Sequence, residues 1–212
     1  MKTEELIEAL VQDASRSQRS PAQRVLGAVI LGSLFAGILF AFIFGIRPDI
    51  RNAFESWRFV LKFVLAVTCM ACAWWACLEL SRPEVRLKDV VGWIALAPAL
   101  LAVAAVYELV EISPSHWSEQ IIGRFAATCL VAIPLLSIVP LTALLTALRA
   151  GAPRVPASAG AVAGLLAGSL SAALYATHCP DDSPLFVAVW YTLAVGLVTV
   201  TGAFAGNRVL RW

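Results

Sequence analysis

Charged residues are scarce in this chain, since lysine, arginine, aspartate and glutamate together make up 14% of its 212 residues. A water-soluble domain usually carries about 25% charged residues. The hydrophobic fraction here is 60%, and the mean hydropathy is +0.81. This composition excludes an ordinary soluble enzyme or binding domain, and it predicts a protein that lies in a lipid bilayer.

Sequence signatures of catalysis and transport are also missing. The chain has no glycine-rich phosphate-binding loop, no G-x-S-x-G nucleophile motif and no pair of carboxylates within one apolar run. A transporter would need polar residues at mid-membrane depth and interrupted helices in repeated positions, and neither is evident. These absences weigh against a hydrolase or a transferase, and they leave a small transporter only as an alternative.

Long apolar runs are what the chain has in abundance. A helix needs roughly 20 apolar residues to cross a bilayer, and six runs reach that length. They extend approximately over Val25–Ile46, Phe59–Leu80, Val90–Leu109, Ile121–Leu148, Ala157–Thr177 and Leu185–Asn207. The predicted fold is therefore all-α: a transmembrane domain over residues 25–212, with six helices arranged as three hairpins, preceded by a polar segment over residues 1–24.

The distribution of lysine and arginine predicts the orientation of these helices. If the N-terminus is cytoplasmic, eleven of the 16 basic residues fall on the inner side and five on the outer side. Cytoplasmic loops carry the excess of positive charge, so both termini are predicted to be cytoplasmic. The connections around His116 and Cys179 would then face outward.

The five cysteines fall into two groups. Cys69, Cys72 and Cys77 lie within the second apolar run, with no histidine and no second cysteine pair beside them, so we interpret them as packing residues rather than zinc ligands. Cys129 and Cys179 both lie toward the predicted outer side, where disulfides persist.

The stretch ATHCPDDSPLF, residues 176–186, places His178 beside Cys179 in the last outer connection. One interpretation joins Cys129 to Cys179 by a disulfide or a soft metal ion, with His178 as a further ligand or as a neighbour that tunes the thiol. The other is that two of five cysteines face outward by chance, and the residues alone leave both open. We expect reduced Cys179 to react readily with thiol reagents from outside.

Two further patterns concern helix packing. Gly160, Gly164 and Gly168 recur every four residues, so they line one face of the fifth helix and predict a close approach to a neighbouring helix. Pro134 and Pro140 predict a kink in the fourth helix.

The segment before the first apolar run contains a short amphipathic pattern. Leu6, Ile7, Leu10 and Val11 fall on one face of a predicted helix, and acidic residues lie opposite. The acidic face argues against binding to a lipid surface and against direct nucleic acid binding. A helix that docks into a groove of another protein fits best, and the alternative is a tail that rests on its own helices.

Several stretches resemble the NrsF family of membrane-embedded anti-sigma factors. They are MKTEELIEAL, GIRPDI, ALRAGAP, AGAVAGLLAGSLSAALYATHCPDDSPLFVAVWY and the closing RVLRW. The resemblance implies a multi-pass protein of the bacterial inner membrane, not an enzyme, whose cytoplasmic N-terminal segment holds an extracytoplasmic-function sigma factor. It also implies that Cys129 and Cys179 take part in sensing, without a cofactor other than a soft metal ion at that pair.

The alternative function is a membrane thiol oxidoreductase that passes electrons from outer cysteines to a quinone. Such enzymes place a C-x-x-C pair in or beside an outer connection, and this chain has none there. The sequence therefore favours the regulator over the oxidoreductase.

Overall fold

A computed structural model of the protein describes residues 20–81, 85, 87–151 and 153–211. Within these residues the regular structure is helical, and six helices are long and apolar enough to cross a bilayer. We number them spans 1 to 6: Pro21–Ile43, Trp57–Leu80, Lys88–Glu111, Pro114–Arg149, Pro156–Ala176 and Pro184–Val209. The predicted all-α fold with six membrane-length helices is confirmed. The docking segment with Leu6, Ile7, Leu10 and Val11 lies outside the described residues.

Three of the spans consist of more than one helical segment. Span 3 contains helices Leu87–Ile94 and Leu96–Glu111, and span 4 has a short start before its main helix, Ala126–Arg149. Span 6 begins with Pro184–Phe186, passes through a π-helical turn at Val187–Tyr191 and continues as Thr192–Val209. Such π-helical turns are rare and occur frequently at functional sites.

Serine caps fix where two of the spans begin. The Ser20 hydroxyl accepts a hydrogen bond from the Gln23 backbone N–H, and the Gln23 side chain accepts one from the Ser20 N–H, which forms a capping box at the start of span 1. At the start of span 6, the Ser183 hydroxyl accepts from the Leu185 N–H and Pro184 occupies the first helical position. Local sequence therefore determines both starts.

The outward surfaces of the spans are covered by large apolar side chains. Phe42 is 86% exposed and Val110 is 80% exposed, and similar residues recur along spans 1, 3, 4 and 6. A soluble monomer rarely exposes so much contiguous apolar surface. The exposed faces suggest a helix bundle that is inserted in a membrane.

Span 5 is the centre of the bundle, and it packs against spans 2, 4 and 6. Span 1 packs mainly against span 4, and span 3 contacts span 2 and the start of span 6. In the described part of the chain, spans 1 and 2 make little contact with each other, as do spans 3 and 4. The helix packing therefore follows a different order from the three consecutive hairpins that we predicted, although spans 5 and 6 do pair.

A glycine–proline contact explains why span 1 packs on span 4. A Cβ added at Gly32 would lie 2.8 Å from Pro140 Cα, so the two helices touch backbone to ring. The main helix of span 4 continues through both Pro134 and Pro140. The proline that removes a helical hydrogen bond thus also provides the surface on which the first span rests.

The glycines of span 5 lie directly against span 6. A Cβ at Gly164 would be 2.5 Å from Val198 O, and a Cβ at Gly206 would be 2.7 Å from Gly160 Cα. Backbone meets backbone along this seam, because small residues allow helices to approach closely in lipid. We call this contact the glycine seam.

Adding one methyl group to the glycine seam is expected to destabilise the protein. Gly160→Ala places a Cβ against the backbone of Gly202 and Gly206, and overpacking of this kind costs about 1–3 kcal/mol. Gly37→Ala is the matched control, because no atom lies within 4 Å of a Cβ at that position. Thermal unfolding of the purified protein in detergent checks the prediction, which is wrong if both variants unfold at the wild-type temperature.

Candidate functional site

Two cysteines meet at one end of the bundle. Cys129 is on the first turn of the main helix of span 4, and Cys179 lies in the connection between spans 5 and 6. Their sulfur atoms are 3.8 Å apart, both residues are fully buried, and both are free thiols. A disulfide bond is about 2.05 Å long, so a shift of less than about 2 Å would join them. We call this end of the bundle the cysteine end.

Asp181 ties the two cysteine-bearing elements together. Its Oδ2 accepts hydrogen bonds from the backbone N–H groups of Arg124, at 2.9 Å, and Phe125, at 2.8 Å. Gly123 makes this approach possible: its φ is +57°, and a Cβ there would lie 2.8 Å from the Asp181 carboxylate. The connection that carries Cys179 is thus fastened to the start of the helix that carries Cys129.

A buried lysine on span 2 binds the connection that carries Cys179. Lys62, on span 2, is 1% exposed, and its ammonium group donates hydrogen bonds to Cys179 O at 2.8 Å and to Asp181 O at 3.3 Å. It also forms an ion pair with Asp182. These three partners take up all three protons of the ammonium group. The sequence identifies Lys62 only as a basic residue near the outer end of an apolar run, and its burial was not predicted.

Asp182 also binds an arginine from the connection between spans 1 and 2. Arg47 Nη1 lies 2.9 Å from Asp182 Oδ2, and Arg47 Nη2 lies 2.6 Å from Asp49 Oδ2. The hydrogen bond from Arg47 lowers the pKa of exposed Asp49 to about 2, and the same bond raises the pKa of Arg47. Cation and carboxylate therefore stay charged throughout the physiological range, and two connections distant in sequence are held together.

His178 does not join the cysteine pair. Its Nδ1 lies 3.0 Å from Gly45 O, and its ring packs against the rings of Phe44 and Tyr175. Among the described residues no group of three or more histidines, cysteines or carboxylates is arranged to hold a metal ion. The site that the structure assembles is therefore a dithiol, and the His178 ring has other partners.

The surroundings of Cys179 favour its thiolate. Its pKa is lowered, chiefly because the Cys129 thiol donates a hydrogen bond to it, and further because the positive charge of Lys62 is close. The thiolate is the form of cysteine that attacks oxidants and binds soft metals. The arrangement therefore favours thiol chemistry at Cys179.

The dithiol is closed to water. Both cysteines have zero exposed surface, although we expected Cys179 to react readily from outside. The connection folds over its own thiol, because the Cys179 and Asp181 carbonyls turn inward to Lys62 while Asp181 is held by span 4. A reagent in water must displace this cover before it reaches either sulfur.

The other three cysteines lie on span 2 and take no part in this cluster. Cys77 is buried, and Cys69 and Cys72 are half-buried. Cys77 packs in a second apolar core that contains Leu80, Leu148 and Leu210. This core marks the opposite end of the bundle.

These observations define the class: an all-helical protein with six membrane-length helices and a buried dithiol at one end. The chain belongs to the NrsF family, since the family described as "Negative regulator of sigma F" matches residues 10–212. This result confirms the resemblance of the sequence stretches quoted above.

Two relatives align over the full length of both chains. The protein is 34% identical over 214 residues to the "Probable anti-sigma-F factor NrsF" of Azospira oryzae. It is 32% identical over 221 residues to the "Anti-sigma-F factor NrsF" of Caulobacter vibrioides. No solved structure matches the chain.

Proposed function

We propose that this protein is an anti-sigma factor of the bacterial inner membrane. Its cytoplasmic segment, residues 1–24, holds an extracytoplasmic-function sigma factor, and reaction of the Cys129–Cys179 dithiol on the outer side releases that factor. Family membership supports the regulatory role. The observation that carries the sensing role is the 3.8 Å separation of two buried thiols at the end of the bundle away from Ser20.

Two reactions fit such a dithiol. Oxidation removes two protons and two electrons and draws the sulfurs to a bond of about 2.05 Å. A soft metal ion is held between the two thiolates and also displaces their protons. Either reaction moves the Cys179 connection relative to span 4, which is the mechanical event that a sensor needs.

The glycine seam provides a path from the cysteine end to the opposite end. The Cys179 connection joins spans 5 and 6, whose backbones are in contact along the seam. At the opposite end these spans lead to the turn at Gly151, which packs against Ser81, and to Leu210. A shift at the dithiol is therefore passed on by a stiff helix pair, and regulation requires that the two positions differ in affinity for the sigma factor.

The predicted topology can be checked with reporter fusions. Fusions after Arg86, Arg154 and Trp212 are expected to read cytoplasmic, and fusions near His116 and Asp182 external, because the positive-inside rule places the basic turns inside. The opposite pattern would put Cys179 on the reducing side of the membrane and would contradict thiol sensing.

Disrupting the predicted docking helix is expected to release the sigma factor. Leu6→Glu combined with Leu10→Glu removes two leucines whose burial is worth roughly 3–6 kcal/mol, so binding should weaken by at least about 10²-fold. Co-purification of the sigma factor with full-length protein measures this effect. Ala9→Glu with Gln12→Glu is the matched control, because it adds the same charge on the other side of the helix. If both variants lose the sigma factor equally, the apolar face of this helix is not what binds it.

The proposed function as a whole is tested by sigma factor retention in the purified complex. Treatment with the thiol oxidant diamide, or with Cd²⁺ as a soft metal, is expected to change the amount of sigma factor retained by wild-type protein. The variant with both cysteines replaced by serine should not change. Catalytic turnover of an added dithiol would instead favour the oxidoreductase.

A further inference from the structure

A slot lies between spans 2, 3, 5 and 6, close to the dithiol but on its membrane side. It encloses about 360 Å³, and its lining is almost wholly apolar. Pro98, Thr192 and Val200 line it and are exposed, so the slot opens on the face of the bundle that lipid covers. Its volume lies within the range of small-molecule sites, roughly 300–1,000 Å³.

The charge at the slot indicates which kind of ligand could bind there. Lys62 is the charged residue among those that line it, and the three protons of its ammonium group are already engaged by Cys179 O, Asp181 O and the Asp182 carboxylate. Among the described residues that line the slot, no cation is left to balance an anionic head group. The slot therefore suits a neutral molecule from the bilayer rather than a phospholipid or a fatty acid.

A buried hydroxyl at the slot has no oxygen or nitrogen partner among the described residues. Tyr191 lines the slot, is 5% exposed, and its hydroxyl makes no hydrogen bond to oxygen or nitrogen within the described residues. The Cys179 sulfur, a weak acceptor, is close to this hydroxyl. An unpaired buried hydroxyl is unfavourable, and a carbonyl oxygen of a ligand would satisfy it.

The slot and the dithiol share a wall. Ala172, Val187 and Tyr191 line the slot and also pack in the apolar cluster that contains Cys129 and Cys179. Val187 and Tyr191 are the two ends of the π-helical turn. The dithiol is closed toward water, and the cluster that contains it borders a space open to lipid.

We propose that this slot binds an isoprenoid quinone and that the quinone is the oxidant of the Cys129–Cys179 dithiol. The ligand is neutral, enters from lipid and carries carbonyl oxygens, of which one accepts a hydrogen bond from Tyr191. The inference rests on the proposed sensing function and names its stimulus as the oxidised quinone pool.

The redox step balances within these partners. The Cys179 thiolate adds to the quinone ring, and the Cys129 sulfur then attacks the Cys179 sulfur and displaces the reduced ring. One S–S bond forms as the transient C–S bond breaks, and two electrons pass to the ring. The ring takes one proton from the Cys129 thiol and one from the surroundings, which received the proton that Cys179 lost on ionisation, and the products are a disulfide and a quinol. The ring must move past the shared wall at Tyr191 to reach the sulfur.

Binding is tested on full-length protein in detergent, with an azido-ubiquinone as photolabel and decylubiquinone as competitor. Labelled peptides are expected to map to the slot, and the competitor should remove the label. Gly196 lines the slot and a Cβ there has open space around it, so Gly196→Leu is expected to occupy part of the slot and to reduce labelling by at least about 10-fold. Gly37→Leu is the matched control on span 1 and should label as wild type. Equal labelling of both variants overturns the site.

Two further results decide the chemistry. Tyr191→Phe should weaken decylubiquinone binding by about 2- to 10-fold, the effect of one hydrogen bond. Anaerobic addition of decylubiquinone should convert the reduced dithiol to a disulfide in wild-type protein but at least about 10-fold more slowly in Gly196→Leu. If diacylglycerol competes as well as decylubiquinone and no disulfide forms, the slot is a neutral-lipid site and the quinone proposal is wrong.

Failure of this inference and failure of the proposed function give different results. If diamide alters sigma factor retention but decylubiquinone neither binds nor forms the disulfide, the sensor stands and the quinone is wrong. If decylubiquinone forms the disulfide and sigma factor retention does not change, the slot stands and the proposed sensing function is wrong.

Discussion

Lys62→Met is expected to destabilise the protein by about 1–3 kcal/mol, because it removes a buried donor and leaves buried acceptors without their hydrogen bonds. The Asp182 carboxylate would keep only Arg47, and the carbonyls of Cys179 and Asp181 would lose their donor. Chemical unfolding in detergent measures the loss of stability.

The same substitution should raise the pKa of Cys179. The folded-state pKa of this thiol is lowered, so its thiolate contributes stability above the pKa of an unfolded cysteine, about 8.5. That contribution is lost as the pH falls through the folded value. In a variant that retains only Cys129 and Cys179, the midpoint of the pH dependence of Cys179 alkylation should lie below about 8.5, and Lys62→Met should shift it upward.

Lys88→Met is the matched control for charge removal, because Lys88 is exposed near the start of span 3. It should change stability by less than about 0.5 kcal/mol and leave Cys179 alkylation unaltered. If Lys62→Met and Lys88→Met behave alike, the buried network has no structural importance.

Cys129→Ser, Cys179→Ser and the double variant are expected to lose the stimulus response to the same extent. Two thiols 3.8 Å apart form one site, and breaking either end abolishes it, so the effects do not add. The measurement is sigma factor retention before and after diamide or Cd²⁺. His178→Ala should reduce the response only mildly, because its Nδ1 faces Gly45 O.

The matched control replaces Cys69, Cys72 and Cys77 by alanine. These cysteines lie on span 2 and outside the dithiol, although Cys69 also lines the slot. The triple variant should therefore respond to diamide and Cd²⁺ as wild type. Additive and unequal effects of Cys129→Ser and Cys179→Ser would instead show that the two thiols act separately, and the sensor would lie elsewhere.

The sequence predicts the spans well because hydrophobicity and capping are local. A short stretch of sequence is enough to recognise each of three features: the six apolar runs, the serine before Pro184 and the glycine repeat. The alternation of helices across a bilayer also places Cys129 and Cys179 at the same end without any knowledge of packing. The contact between the two sulfur atoms could not be predicted from the sequence. It depends on Asp181, which links the Cys179 connection to the start of the helix that carries Cys129.

The features that sequence reasoning missed depend on contacts between distant residues. Lys62 is buried because carbonyls and a carboxylate about 120 positions later in the chain surround it. In sequence, a basic residue near the end of an apolar run is an orientation signal, and burial cannot be read from it. The packing order of the helices is equally non-local, since it depends on the fit of Gly32 to Pro140.

The partnership of span 1 with span 4 has a consequence for biosynthesis. Roughly 100 residues separate the end of span 1 from the end of span 4, so at about 5–20 residues per second the ribosome needs roughly 5–20 s to supply the missing partner. During this interval Gly32 has no proline surface to rest on. Nascent chains arrested before Pro140 should therefore expose span 1 to membrane proteases, and chains arrested after Arg149 should be protected.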